Sequence, residues 1–463
     1  MPSSPARAVA YRVLRAVNAG RADLPSALER SRADLADERD RGLAAEIVIG
    51  TLRWRAALDH LIEHYSGRAL ARLDPEIVDV LRMGAYQLLH LSRIPAAAAV
   101  DEAVTLARHS RKRSAGGLVN AVLRAVARER DRPPLPPRPG RPGDQGGEAD
   151  ARAALDYLSI TLSHPRWLAK RWLARYGFAG AEAWALFNNT PAPMTLRANT
   201  LATSVDALAA ELARLGVAAR RTDRAPDGLI VTSGNVFRAG LAGSGRFLIQ
   251  DEGSQLVALM VDARPGATVL DGCASPGGKT VALAGAMRNR GLLVAGDTRP
   301  RRVDLLRRTL ATSGVSCARV VRLDLREPAP FRAVFDRVLL DAPCSGLGTI
   351  RRDPEIRWRR REEDLDTFAA TQHRMLAGAA GAVTPGGWLV YATCSSEPEE
   401  NEDVVGAFLA GHPEFTTVNP REASGALSPG LDALLLGHDL CLRTEPGRHG
   451  LEAFFAIALR RGR

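Results

Sequence analysis

The sequence predicts a multidomain chain made of an all-helical domain, a small α+β module and a doubly wound α/β domain. Three observations carry this. Apolar residues recur at helical spacing through the first 130 or so residues, with almost no strand-like alternation. A stretch dense in proline and glycine follows, Pro133-Pro134-Leu135-Pro136-Pro137-Arg138-Pro139-Gly140 and on through Gly143, Gly146 and Gly147, which sustains neither helix nor ladder. After Gly245 the pattern becomes strand, turn, helix, repeated, which implies a parallel sheet covered on both faces.

The helical domain is expected over residues 1–132, with faces such as Val9, Val13, Leu14, Val17 and Ile77, Val80, Leu81, Leu88. Residues 133–152 read as the linker. The module at 153–245 begins with helical patterns at Trp167 to Tyr176 and Ala181 to Phe187. A strand at Met194 to Arg197 and a helix from Ser204 to Leu215, with Ser204 as N-cap, complete it. In the third domain, 246–463, the predicted strands are Thr268 to Leu270, Leu292 to Ala295, Arg319 to Leu323, Arg337 to Leu340 and Trp388 to Tyr391. The apolar run Glu452 to Leu459 supplies a further one.

With 463 residues and 46% apolar content the chain can bury one or two sizeable cores, and ordinary domain sizes suggest two to four domains. Its net charge of +11 attracts a polyanion, whether RNA, DNA or an acidic membrane surface. The positive charge is almost all arginine. Lys112, Lys170 and Lys279 are the only lysines, so a lysine at 279, inside a glycine-rich turn, points to a role that arginine does not fill. Five scattered cysteines form no disulfide framework, which fits free thiols in a reducing cytoplasm. No stretch approaches the roughly 18 apolar residues of a membrane span, and the amino terminus lacks a secretory apolar core. A soluble monomer is expected.

Three motifs carry chemistry. The turn Asp271-Gly272-Cys273-Ala274-Ser275-Pro276-Gly277-Gly278-Lys279-Thr280 follows a strand and opens a helix, whose amides favour a carboxylate or phosphate. Its register does not fit a P-loop. Asp297, Asp324 and Asp341 recur at the ends of the next strands, around one crevice, where carboxylates bind ribose hydroxyls, an amino group or a cationic centre. S-adenosylmethionine suits this set better than a dinucleotide, because no Gly-x-Gly-x-x-Gly is present. Cys344, in Asp341-Ala-Pro-Cys-Ser-Gly, and Cys394, in Tyr391-Ala-Thr-Cys-Ser-Ser, each follow a hydrophobic strand in loops expected to overhang that crevice. A thiol there is nucleophilic, and a cationic neighbour improves it. Cys317 and Cys441 lack such context and read as small buried hydrophobes.

At these motifs the sequence resembles the Sun/RsmB family of bacterial ribosomal RNA cytosine-5 methyltransferases. The likeness runs through Asp336 to Gly348, Arg351-Arg-Asp-Pro-Glu-Ile-Arg-Trp358 and Tyr391 to Glu402. It extends to Leu81 to Leu89, Arg93-Ile-Pro95 and Val119 to Arg124, which resemble that family's NusB-like RNA-binding domain. Leu196-Arg-Ala-Asn-Thr-Leu201 resembles its middle RNA-binding module. Gly272 and Ser275 stand where alanine is usual, and Glu452-Ala453 replaces the usual Asp-Gly. The resemblance implies a Rossmann-like methyltransferase domain and S-adenosylmethionine as cofactor, held by Cys273, Ala274, Ser275, Pro276, Gly277, Gly278, Lys279, Asp297, Asp324 and Asp341, with Arg302 a weaker addition. It also implies 16S ribosomal RNA as partner, Cys394 as the nucleophile toward cytosine C6, and Cys344 in product release. Asp341, with Lys279, would hold the base edge or contact the cofactor. Arg351, Arg352, Arg357, Arg359, Arg360 and Arg361 form a candidate RNA track. Two other readings stay open: a DNA cytosine-5 methyltransferase, in which the Pro-Cys thiol of Cys344 attacks, and a non-catalytic RNA-binding protein.

Overall fold

The structure, a computed structural model, describes residues 4–109, 113–140, 148–238, 240–421, 429–436 and 440–463. It divides into two compact units, one of Met1–Pro191 with Ile350–Glu362, the other of Ala192–Thr349 with Glu363–Arg463.

The first unit is helical: α1 (Pro5–Asn18), α2 (Leu24–Ser31), α3 (Glu38–Arg53), α4 (Arg55–Ser66), α5 (Pro75–His90), α6 (Ala96–His109), α7 (Gly116–Arg128), α8 (Glu148–Asp156) and α9 (Arg166–Asn189). Helix α5 is the axis of the bundle, buried continuously from Ile77 to Leu88. Burying it on all sides requires its polar residues to be paired. Arg82 does so with two hydrogen bonds to Asp59, at 2.6 and 2.8 Å, and one to Asp79, at 3.2 Å. Gln87 accepts from Arg7 Nε at 2.7 Å. The predicted apolar faces of α1 and α5 share one core with Val119, Val122 and Leu123 of α7. The two helical segments predicted on either side of Gly177 both lie in α9, which kinks between them where Gly177 sits at φ 66°. Helix α9 belongs to this unit, whereas its sequence position suggested the α+β module. Its Trp172 and Trp184 pack against one another and Trp172 against His164, within the helical core.

The second unit carries two sheets. In the smaller, β2 (Ala218–Arg221), β3 (Gly228–Ser233), β1 (Thr195–Ala198) and β4 (Phe247–Ile249) lie in that order, all antiparallel. Helix α10 (Val205–Arg214) covers it, and Ser204 caps that helix by accepting from the Ala207 amide at 3.2 Å. Leu196, Leu208, Leu212 and Leu229 form the small core.

The larger sheet follows α11 (Glu252–Leu259). Its parallel strands are β5 (Thr268–Asp271), β6 (Leu292–Asp297), β7 (Ala318–Arg322), β8 (Phe335–Asp341) and β9 (Val383–Thr393), in the order β7-β6-β5-β8-β9. The connecting helices include α12 (Gly278–Ala286), α13 (Pro300–Thr312) and α15 (Asp364–Ala380); the short α14 (Ile356–Arg359) lies in the stretch assigned to the first unit. Beyond β9 the chain adds α16 (Glu402–Gly411) and a terminal strand, Phe455–Arg461, antiparallel to β9. Side chains alternate between two cores, as strands covered on both faces demand. Val269, Leu339 and Val390 join Leu256 and Leu283 on one side; Leu270, Leu340 and Tyr391 join Leu376 and Phe408 on the other. The strand order reverses between β5 and β8. That switch point is where a doubly wound sheet opens a crevice at its carboxyl ends.

Among the described residues no helix is long and apolar enough to cross a membrane, and no His/Cys/Asp/Glu cluster could hold a metal.

Candidate active site

Each catalytic candidate sits where a parallel strand ends. Strand β5 delivers Asp271 and the glycine-rich turn; Gly277, at φ 109°, is the N-cap of α12, a conformation that side chains other than glycine's resist. Asp271 is buried and accepts from Thr280 Oγ1 at 2.7 Å, tying the strand to the helix; burial lifts its pKa to about 7. The space an alanine methyl would take at Gly272 is filled by Leu325, 2.3 Å from that position.

Strand β6 ends at Asp297, which accepts from the Arg299 amide at 3.1 Å and faces Arg302 Nε at 3.3 Å. Arg302 also donates to the Ser275 carbonyl at 2.8 Å, and Ser275 Oγ donates to the Arg302 carbonyl at 3.0 Å. The turn and the Asp297 carboxylate are thus braced by the same arginine. Asp324, beyond β7, lies at the surface, where its hydrogen bonds to Arg326 hold its pKa down.

Strand β8 ends at Asp341, whose Oδ2 accepts from Lys279 Nζ at 2.7 Å; Lys279 also donates to Ser254 Oγ at 2.9 Å. Burial opposes the ammonium, but Asp341 outweighs it and raises the lysine pKa. Lys279 is therefore a fixed cation, and Cys394 is near enough to add to its stabilisation.

Strands β8 and β9 pair in parallel, with Asp341 beside Ala392, so their following loops leave the sheet together. Cys344 and Cys394 meet there, Sγ to Sγ at 3.2 Å. That hydrogen bond, with burial, pushes the Cys344 thiol well above its ordinary pKa. Burial does the same for Cys273, which leaves it a poor nucleophile. Cys317 and Cys441 are buried in the cores as expected.

Two arginine assignments change. Arg357 is fully buried inside the first unit, donating to the carbonyls of Arg53, Ser163 and Asn188 and to Asn189 Oδ1, and Arg351 lies over the Phe187 ring, 4.4 Å from its centroid. The run from 351 to 361 is therefore no continuous RNA track: Arg357 points inward while Arg359 and Arg361 remain exposed. In the β1 motif, Arg197 is also buried. It donates to Gln250 Oε1 at 2.5 Å and to the Gly278 carbonyl at 2.6 Å, and Asn199 donates to the Gly245 and Ser313 carbonyls. Arg197 thereby braces the glycine-rich turn at Gly278. The sequence signal for that was an arginine at an inward position of a strand. Glu400, which contacts both cysteine loops, was missed; only its place in the Tyr391 to Glu402 motif marked it.

Residues 258–460 match the family model of 16S rRNA methyltransferase RsmB/F, residues 4–128 that of the NusB family, and residues 164–236 that of the RsmF/B-like ferredoxin-like domain. The chain is 36% identical over 440 residues to ribosomal RNA small subunit methyltransferase B of Pseudomonas putida, covering 94% of this chain and 96% of that protein. It is 34% identical over 383 residues to a probable ribosomal RNA small subunit methyltransferase B of Bacillus subtilis, covering 82% of each. The solved structure of PH0851 superposes over the full length of both chains with a TM-score of 0.80 at 26% identity. A methyltransferase homolog protein from Pyrococcus horikoshii matches with a TM-score of 0.55 at 29% identity, covering 67% of this chain and 99% of that one.

Proposed function

The chain belongs to the RsmB/F family of 16S rRNA methyltransferases, and we propose that it methylates C5 of a cytosine through a covalent bond from Cys394 to C6. The observation that carries this reading is the pair of thiols 3.2 Å apart at the ends of adjacent parallel strands, beside the Lys279–Asp341 ion pair.

S-adenosylmethionine is the cofactor, and it supplies an electrophilic methyl group. The residues present fit it. The bare backbone of Gly277 and Gly278 and the start of α12 suit its carboxylate, while Asp297 and Asp324 are acceptors for hydroxyl and amino groups. Cys273, Ala274, Ser275 and Pro276 form the wall of the turn, braced by Arg302. Asp341 closes β8 three residues before Cys344 and is already bonded to Lys279.

Cytosine C5 is too weak a nucleophile to accept a methyl group unaided. Addition of the Cys394 thiolate to C6 forms an S–C bond and moves the ring's electron pair toward C5 and N3, making C5 enamine-like. Asp341 with Lys279 steadies the charge that builds at N3. After C5 is methylated its proton leaves to a base. The electron pair of that C–H bond restores the double bond as the S–C bond breaks. Cys344, in contact with the departing Sγ, assists this release.

The amino-terminal region, 1–132, and the module at 153–245 are proposed to grip RNA, leaving 246–463 for the chemistry. A base inside a stack must be extruded first, at a cost of a few kcal/mol. The test uses RNA with 5-fluorocytidine, whose fluorine cannot leave as a proton does. The parent protein with S-adenosylmethionine is expected to form a complex that survives denaturing electrophoresis; C394A is expected to form none; C344A is expected to accumulate a covalent complex even on ordinary RNA. Loss of the adduct in C344A and its survival in C394A would make the Pro-Cys thiol the nucleophile and overturn the reading.

A further inference from the structure

We propose that Glu400 is the positioning residue that clamps the two cysteine loops together and so sets the distance between the thiols. The proposal rests on the two-thiol reading above only for its consequence in catalysis; the clamp itself is geometric.

Glu400 is fully buried, and no cationic side chain among the described residues pairs with it. A carboxylate in that position is costly unless hydrogen bonds satisfy it. Four donors do. Oε1 accepts from the Ser345 amide at 2.7 Å and from Gln372 Nε2 at 2.9 Å, and Oε2 accepts from the Ser345 hydroxyl and from Ser395 Oγ at 2.5 Å. Ser345 follows Cys344 and Ser395 follows Cys394, so one side chain holds the residue next to each thiol. Its own backbone is fixed by Tyr391, which donates to the Glu400 carbonyl at 2.6 Å from within β9. Gln372 donates as well to the Pro343 carbonyl at 3.0 Å, fastening the Cys344 loop to α15. Asn401 completes the bracket: it accepts from Thr393 Oγ1 at 2.5 Å and donates to the Ser395 carbonyl at 3.1 Å. Glu400 reaches both thiols only through their neighbours and touches no reacting atom.

Glutamine at 400 can satisfy the same partners, its carbonyl accepting from the Ser345 amide and Gln372 and its amide donating to the two hydroxyls. Alanine can satisfy none. The experiment measures how fast diamide closes a Cys344–Cys394 disulfide in the full-length protein, mapped by mass spectrometry. Each turnover takes two electrons and two protons from the thiols and reduces the azo bond to the hydrazine. The rate reports thiol approach whatever reaction the enzyme performs. E400A is expected to cross-link at least about tenfold more slowly than the parent and to lose about 100-fold in kcat, as misplacement by about 1 Å does, with KM for RNA unchanged. E400Q is expected to recover both. Parent-rate cross-linking in E400A, or an E400Q as impaired as E400A, would overturn the clamp. Should E400A fail to fold, S395A removes one arm only; a slowed cross-link there supports the clamp and an unchanged one overturns it. If the cross-linking order holds while 5-fluorocytidine RNA traps no adduct in the parent, the clamp stands and the covalent reading falls.

Discussion

Replacing Arg357 with alanine removes the interior fastening of the segment Ile350–Glu362 within the helical unit. The guanidinium makes four hydrogen bonds, at 2.9, 3.0, 3.2 and 3.3 Å, three of them to backbone carbonyls. Trp358 beside it donates to the Leu52 carbonyl at 2.6 Å, and Glu355 accepts from the Leu24 amide at 3.1 Å. Hydrogen bonds from a charged donor are worth about 1.5–3 kcal/mol each. Against that stands the desolvation of a cation with no carboxylate among these contacts, several kcal/mol, which truncation relieves. Burial accordingly drives the Arg357 pKa down. The net expectation is a loss of about 2–4 kcal/mol, since the alanine also leaves a cavity and three orphaned carbonyls. For a unit of this size that is a fall of about 5–12 °C in Tm by calorimetry. R357M, which keeps volume but not donors, should recover only the cavity part. Titration with S-adenosylmethionine is expected to give the parent Kd in both, because Cys273 to Lys279, Asp297, Asp324 and Asp341 belong to the second unit. A Tm within about 1 °C of the parent for R357A would refute the fastening role.

Three further outcomes are expected. Burial lifts Glu355 to about 7 and Asp353 to about 6, so between roughly pH 4, where unfolded carboxyls titrate, and pH 7 the folded state holds protons the unfolded chain has released. The helical unit should therefore lose stability to urea as pH rises through that window, and E355Q should flatten the slope; a stability that climbs with pH there would contradict it. A Cβ at Gly348 would lie 2.1 Å from the Ala453 carbonyl oxygen and 2.8 Å from that of Cys394, neither free to turn away. G348A should cost the second unit about 1–3 kcal/mol by denaturant titration, and a parent-like midpoint would show that the loop has room. Finally, if exposed Arg359 and Arg361 contact phosphates, R359A/R361A should reduce the salt slope of RNA binding by about 0.7 per contact, and an unchanged slope removes them from the interface.

The five parallel strands and the glycine-rich turn were legible because local patterns set them: short apolar runs, bounded by turn residues and alternating with helical stretches. Both cysteines were legible for the same reason, each lying one loop beyond such a run. What stayed hidden depends on partners remote in sequence. Arg357 reads as one charge in a solvated arginine run, and only carbonyls at Arg53, Ser163 and Asn188, 304, 194 and 169 residues away, make its burial possible. Arg197 lies in the stretch that resembles the middle RNA-binding module, and its support of the turn shows only in its bond to the Gly278 carbonyl, 81 residues on. Glu400 lies in Glu397-Pro-Glu-Glu-Asn401, an acidic stretch that local propensity assigns to an exposed turn, yet Ser345, 55 residues earlier, closes over it. A buried polar side chain is tolerated only where the folded chain supplies its hydrogen bonds. The apolar pattern therefore reveals which strands carry the reacting groups, and the polar side chains that hold those groups in register appear only once distant donors and acceptors are brought together.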